Sequence, residues 1–287
     1  MAGLAPGTSL GGLVHQLGDI RFNEVAPDGV YWYLATNDGW DSPDVRTTLT
    51  AREADHGSWM GPVYLAERVI TLAGKFRAPD PATVDTAIAQ LKAAAGLHDT
   101  TLTVFESTPR QATVRRSGKP LMQRLTSRVV DWSVQVTAPD PRLYATTETT
   151  AALRLPSVSG GLTLPIVFPF EIDATVVPGD AAVINEGSID ARPTIRIDGP
   201  VSQPLVVVTG PDGSTASLLY GGDIAAGDWL ELDTDAHTAY YNNTASRRAL
   251  VSGDWPVLPP GQSTVSFRAG AYSDTAVCTL TYRSAWE

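Results

Sequence analysis

Toward the end of the chain, apolar and polar positions alternate with a period of two. Leu230 and Leu232 alternate with Glu231 and Asp233, Val265 and Phe267 with Ser266, and Cys278, Leu280 and Tyr282 with Val277, Thr279 and Thr281. Such alternation between turn-forming clusters marks half-buried antiparallel strands. The reading predicts strands at 167–172, 193–197, 205–208, 229–232, 238–242, 263–267 and 276–282. Turns fall between them at Asp198-Gly199-Pro200, Gly210-Pro211-Asp212-Gly213 and Gly221-Gly222-Asp223. Seven or more short strands with no helix signal predict a β-sandwich or jelly-roll over 153–287.

The first half, 1–145, mixes the two periodicities. Strands are predicted at 30–34, 69–76, 101–105, 112–115 and 128–137. The last is the clearest, with Val130, Trp132, Val134 and Val136 on one face. Asp80-Pro81 opens one helix over 81–95. Asp80 caps free amides, and Pro81 fits the first helical position, where no N–H donor is required. Val84, Ile88, Leu91 and Ala95 share one face, so the helix is expected to lie on a sheet. Lys92 stands near the negative end of its dipole, and Gly96 is expected as a left-handed cap. Residues 40–44 and 57–62 read as loops. The second places Trp59 and Met60 among turn formers, where a partner surface is the favoured use of two large apolar side chains. A polar linker is expected at 146–152. The fold class is therefore mainly β, an N-terminal sheet or sandwich with one packed helix followed by a C-terminal sandwich.

Composition narrows the choice of function. Hydrophobic content of 43% and charged content of 18% suit a folded chain, and 25 Gly with 21 Pro suit a turn-rich one. No apolar stretch approaches the roughly 20 residues that span a bilayer. The first residues lack a basic segment and a continuous apolar run, so no secretory signal is expected. The single cysteine, Cys278, falls on the apolar face of its strand and reads as a buried structural thiol, made in a reducing cytoplasm.

The net charge of −10 is uneven, with 15 acids against 14 bases in 1–145 and 16 against 7 in 146–287. The acidic half is a poor phosphate binder. Between Ser107 and Val130 the chain carries Arg110, Arg115, Arg116, Lys119, Arg124 and Arg128 and no acid. A solvated hairpin face, a subunit contact and a nucleic-acid contact all fit that run.

Catalytic patterns are missing. His15, His56, His98 and His237 stand apart from one another and from Cys at ligand spacing, and no phosphate loop, nucleophile elbow or zinc-protease motif occurs. Asp223, Asp228, Glu231, Asp233 and Asp235 crowd together. A glycosidase could use two of them only if a dry pocket raised one pKa, whereas the alternating strand leaves Glu231 and Asp233 wet. No enzyme activity, cofactor or metal is expected. Tyr241 and Trp255 are candidate glycan contacts, and Trp229 and Tyr240 read as core. A carbohydrate-binding sandwich is the alternative to a structural role.

Four blocks in order carry a more specific likeness. They are 68–74 leading into Asp80-Pro81; Asp131-Trp132 through Asp140-Pro141-Arg142-Leu143-Tyr144; Asn185-Glu186-Gly187 with 191–197 and Gly199-Pro200; and Gly227-Asp228-Trp229 through Asn242-Asn243, 258–261 and 280–286. Together they resemble the siphovirus tail-component family, the distal tail proteins of long-tailed, non-contractile phages.

That resemblance implies a ring, usually a homo-hexamer, at the distal tip of the virion's tail, made in the host bacterial cytoplasm. The first domain would close the ring and continue the tube. The second would be a galectin-like sandwich. Partners would be the major tail tube protein and a central hub, spike or tail-associated lysin protein, with no membrane partner. DNA would pass through without specific binding. Members that bind sugars carry inserted modules, and this chain has no large insertion. Candidate subunit contacts are Trp40, Trp59, Met60, Arg115, Arg116 and Arg124.

Overall fold

The computed structural model describes residues 12–159 and 175–287. The strand expected at 167–172 lies outside them. The chain divides into two compact units, one ending at Thr146 and joined by Glu287, the other spanning Thr147–Trp286.

The first unit contains β1 (His15–Leu17), β2 (Ile20–Phe22), β3 (Tyr31–Asp38), β4 (Val45–Arg46), β5 (Leu49–Ala51), β6 (Ser58–Met60), β7 (Tyr64–Leu65) and β8 (Arg68–Arg77). They are followed by α1 (Pro81–Ala94), β9 (Thr100–Val104), β10 (Arg110–Arg116), β11 (Leu121–Arg124), β12 (Val129–Ala138) and β13 (Leu143–Ala145). The main strand order is β2-β1-β9-β10-β12-β8-β3, with β11 beside β12. Past β2, Asn23 N–H donates to Trp32 O at 2.8 Å, Trp32 N–H donates to Glu24 O at 3.3 Å, and Val25 bridges to Tyr31. The two ends of the order thereby meet, and the sheet closes into a small barrel.

Inward positions fill that barrel. Leu17, Phe22, Trp32, Phe76, Leu102 and Trp132 are all buried. The Phe22 ring stacks on Trp132 at 5.1 Å between centroids, and Trp32 tilts against Phe76 at 4.8 Å. Aromatic pairs at such spacings add about 0.5–1.5 kcal/mol each beyond the area they bury. The alternation read along 128–137 is the alternation observed, since Val130, Trp132, Val134 and Val136 are buried. Gly74 fits between strands because a Cβ there would stand 2.0 Å from Tyr33 O.

The helix begins as the sequence dictates. Asp80 accepts from Ala82 N–H at 2.9 Å and Thr83 N–H at 3.0 Å, with Pro81 in the first turn. Val84, Ala87, Leu91 and Ala95 are its buried side chains, and Ile88 is half-buried. Its end differs from expectation. Ala95 at φ −88 is the cap, its N–H donating to Leu91 O, while the Gly96 carbonyl accepts from Arg116 N–H at 3.2 Å. That bond to β10 ends the helix without a left-handed residue.

The second unit contains β14 (Thr149–Arg154), β15 (Ser157–Ser159), β16 (Thr175–Val177), β17 (Asp180–Asn185), β18 (Thr194–Asp198), β19 (Val201–Ser202), β20 (Leu205–Thr209) and β21 (Thr215–Tyr220). It continues with β22 (Asp223–Ile224), β23 (Trp229–Asp233), β24 (Thr238–Tyr241), β25 (Ala245–Ser246), β26 (Val251–Gly253), β27 (Gly261–Arg268) and β28 (Val277–Tyr282). One sheet runs β14-β28-β18-β23-β24-β25 and the other β17-β27-β20-β21-β26. Ile195, Leu230, Leu232, Cys278 and Leu280 from the first and Val206, Val208, Leu218, Val265 and Phe267 from the second are buried, as in a two-sheet sandwich. The expected linker 146–152 is largely β14, paired with β28 in register Thr149↔Tyr282 to Arg154↔Val277. Thr149 and Thr150 are both exposed on this edge strand, which gives it the polarity of a linker.

The Asn185-Glu186-Gly187 block has a physical reason. Asn185 is buried, its amide donating to Ile189 O at 2.8 Å and Leu258 O at 2.9 Å. Its Oδ1 accepts from Gly187 N–H at 3.0 Å and Ala285 N–H at 3.2 Å. One side chain thus satisfies the backbone of three separate segments.

Candidate assembly interface

Between Trp40 and Arg68 the chain leaves the first unit's barrel as a two-stranded arm. β4 pairs with β7 in register Val45↔Leu65, and β5 pairs with β6 in register Leu49↔Met60 and Thr50↔Trp59. Half of the loop expected at 57–62, Ser58–Met60, is therefore strand. Its strands escape a period-two reading because burial on one side creates that period, and here both faces are open. Trp59 is 64% exposed and Met60 66%, and Val45, Leu49, Val63 and Tyr64 are exposed with them. Cross-strand partners share a face, so Leu49 and Met60 form one apolar side. Thr50 and Trp59 form the other, where the Arg52 guanidinium sits 4.4 Å from the Trp59 ring centroid.

The root of the arm is built differently. Trp40 is 2% exposed, and its Nε1–H donates to Glu106 Oε1 at 3.1 Å. This placement removes the Trp40 side chain from the subunit contacts expected of it, because its ring belongs to the unit's own interior. Arg68 is fully buried, donating from Nε to Pro141 O at 2.9 Å and from Nη1 to Trp40 O. Burial holds its guanidinium pKa below the usual value. Gly39 supplies the tight approach at φ +87, where a Cβ would stand 2.0 Å from Val69 O.

The basic run does not form one patch. Arg115 pairs with Asp99 and Arg124 with Asp85, while Arg110 pairs with Glu106, all acids from outside the acid-free stretch. Hydrogen bonds from Arg115 hold the Asp99 carboxyl below the usual carboxylate range. Arg115 lies opposite Thr137 and Arg124 opposite Val130 on β12. Seven residues of strand separate those points by roughly 23 Å at about 3.3 Å per residue. Arg116 is half-buried beside Arg115. Contact through these arginines would use two separate places, and three of the six bases in the run are already paired with acids.

In the second unit the crowded carboxylates are occupied by turns. Asp228 accepts from Tyr241 Oη–H at 2.8 Å and Asn242 Nδ2–H at 2.7 Å, which together depress its pKa, Asn242 more than Tyr241. That direction opposes a general acid. Asp233 accepts from the N–H groups of Asp235 and Ala236, and Asp223 from the Ser202 hydroxyl. Among the described residues no group of three or more His, Cys, Asp or Glu is placed to hold a metal ion, and no helix is long and apolar enough to cross a membrane.

The aromatic candidates are also engaged. Trp255 stacks on His237 at 5.1 Å and 8° between planes, and Arg248 lies 5.1 Å from the same ring. Tyr241 carries Arg247 at 5.6 Å. Trp229 and Tyr240 are not core. Both sit on the outer face of their sheet, Trp229 half-buried under Arg196 at 4.5 Å and Tyr240 exposed. The rings of Tyr241 and Trp255 would have to shed protein partners before stacking on a sugar. His15 is held inside the first unit. It is buried, with Nδ1 donating to Leu13 O at 2.9 Å and Nε2 accepting from Asn37 Nδ2–H at 3.0 Å.

Comparison with known proteins agrees with the sequence likeness. Residues 186–286 match the model of the siphovirus-type tail component, C-terminal domain. No curated protein matches the chain by sequence. Among solved structures, the Dit protein of phage SPP1 is described as a paradigm of the hub adsorption apparatus in phages infecting Gram-positive bacteria. It is similar in fold at 14% identity and a TM-score of 0.58, covering 88% of this chain and 93% of that one. A chain of the phage P2 baseplate, solved in its activated conformation with Ca, aligns at 9% identity and a TM-score of 0.49, over 94% of this chain and 96% of that one. The resemblance to siphovirus tail components is thus borne out, by family across 186–286 and by fold across most of the chain.

Proposed function

We propose that this chain, whose residues 186–286 match the siphovirus-type tail component, is a structural protein of a phage tail. It would form a ring of six copies at the distal end, joining the tail tube to a central hub or spike and to the adsorption apparatus. The family match carries the tail assignment. The arm supports self-association, because its apolar side chains lack cover within their own unit. A ring requires two different surfaces on each copy, one donating and one receiving, set at an angle that closes. An arm that projects from a barrel supplies the donating surface. The acidic second unit, with 16 acids against 7 bases over 146–287, suits a module that discourages nonspecific contacts.

Native mass spectrometry with negative-stain microscopy of the purified protein tests the reading. Six-fold rings are the expected result. A monomer at every concentration, with tube and hub proteins added, would overturn it.

A further inference from the structure

The second unit carries a recess that its own packing leaves open. β19 and β22 pair in register Val201↔Ile224 and Ser202↔Asp223, and together with residues 271–274 they line a space of about 550 Å³. Two bonds to backbone hold the second wall in place. Gly270 N–H donates to Ser202 O at 2.9 Å, and Arg154 Nη1 donates to Asp274 O at 3.2 Å. Val201 and Ile224 are buried and give the recess an apolar base. Asp223 stands on the β22 wall and Asp274 on the other, both exposed. Tyr272 is 63% exposed beside them. The buried Ser273 Oγ has no hydrogen-bond partner.

We infer that this recess binds a neutral saccharide, with the Tyr272 ring as a stacking platform and the Asp223 and Asp274 carboxylates accepting from sugar hydroxyls. A sugar ring has apolar C–H faces and a rim of hydroxyls, so its site requires an open aromatic face beside fixed polar groups. Tyr241 and Trp255 fail the first requirement, because their rings already carry arginine. Tyr272 meets it, since its side chain stands in solvent. The polar groups are present on both walls. Asp223 Oδ1 accepts from the Ser202 hydroxyl at 2.7 Å, and a carboxylate retains further lone pairs for a ligand. A buried hydroxyl left without a partner costs free energy that a ligand hydroxyl removes, and Ser273 Oγ is such a group. The sign of charge narrows the class. Among the described residues lining the recess there are two carboxylates and no Lys, Arg or His, which opposes a phosphate or carboxylate ligand. The volume lies within the roughly 300–1,000 Å³ of small-ligand sites. The site belongs wholly to the second unit and uses no residue of the arm, so it stands apart from self-association.

The test applies the full chain to an array of immobilised neutral hexose and N-acetylhexosamine oligosaccharides, with tetralysine and glycerol-phosphate oligomers beside them. Binding to at least one neutral oligosaccharide, unchanged at high salt, is expected. Tyr272→Ala and Asp274→Ala each weaken it about tenfold, by loss of the stacking face and of a charged acceptor. Both positions are exposed, so the thermal midpoints of these variants should match the parent. A chain that binds none of the neutral oligosaccharides would overturn the inference, as would saccharide binding that survives both substitutions. Capture by tetralysine alone, lost at high salt, would also overturn it and mark the recess as a dock for a basic peptide. Native mass of Tyr272→Ala is expected to equal that of the parent, so the saccharide site and the ring stand or fall separately.

Discussion

Arg68, the first residue after the arm, donates from its guanidinium to the backbone carbonyl of Trp40, the residue before the arm begins. The two ends of the excursion are thereby pinned at a fully buried point, and the second bond to Pro141 O ties that point to the exit of β12. Arg68→Met keeps the apolar stem but leaves two carbonyls unpaired. A loss of about 2–4 kcal/mol is expected, read by urea denaturation, together with faster proteolysis within 41–67.

Asn185→Ala removes four hydrogen bonds from a buried position. The cost is expected at about 3 kcal/mol or more, because Ile189 O, Gly187 N–H and Ala285 N–H lose this partner at once and Leu258 O keeps only Ala191 N–H. Thermal unfolding of the variant checks it, and Asn185→Asp should rescue only the two contacts made by Oδ1.

Trp59→Ala and Met60→Ala act on open surface. Each is expected to leave the stability of the isolated chain within about 0.5 kcal/mol of the parent. Assembly measured by native mass should nevertheless fall. A drop in stability of several kcal/mol would show that the arm packs on its own chain.

His15 is neutral in the fold, since burial lowers its pKa while Leu13 O and Asn37 hold its ring. In the unfolded chain it takes up a proton near pH 6.5. The folded-state value is the lower one, so the contribution is present above pH 6.5 and is lost as the pH falls through the folded pKa. His15→Gln should flatten the change in denaturation midpoint between pH 7.5 and pH 5 relative to the parent.

Cys278 shifts in the opposite direction. Burial, with a smaller effect from Asp198, pushes its thiol up to about 12. The folded value lies above the unfolded one, so stability is whole below about pH 9 and declines above it, by up to about 1.4 kcal/mol per pH unit. Cys278→Ala should lessen that alkaline slope. In the native protein the thiol should resist a maleimide at pH 7 and react only after unfolding.

What the sequence displayed followed from one-sided burial. β12, β23 and β28 alternate because one face meets a core, and Asp80-Pro81 supplies the cap and first turn of its helix from adjacent residues. The arm was hidden for the complementary reason. Its side chains are apolar on both faces, and its strands are two or three residues long. β14 was hidden by Thr149 and Thr150, which give an edge strand the composition of a tether. The basic run looked like one surface because it is contiguous in sequence. The antiparallel return of β11 on β12 carries Arg124 away from Arg115, and acids from α1 and the following turn neutralise both. Turn formers around Trp40 mark a loop, whereas Glu106, far along the chain, supplies the acceptor that lets its indole go inside.

Closure of the first unit's strand order into a ring of its own has a consequence for growth. A barrel offers no long row of free amides and carbonyls, and the arm's strands are too short to template a neighbour's backbone. In the proposed ring this unit would therefore meet its neighbours through side chains and not through strand pairing, a joint that holds one angle and lets the circle close.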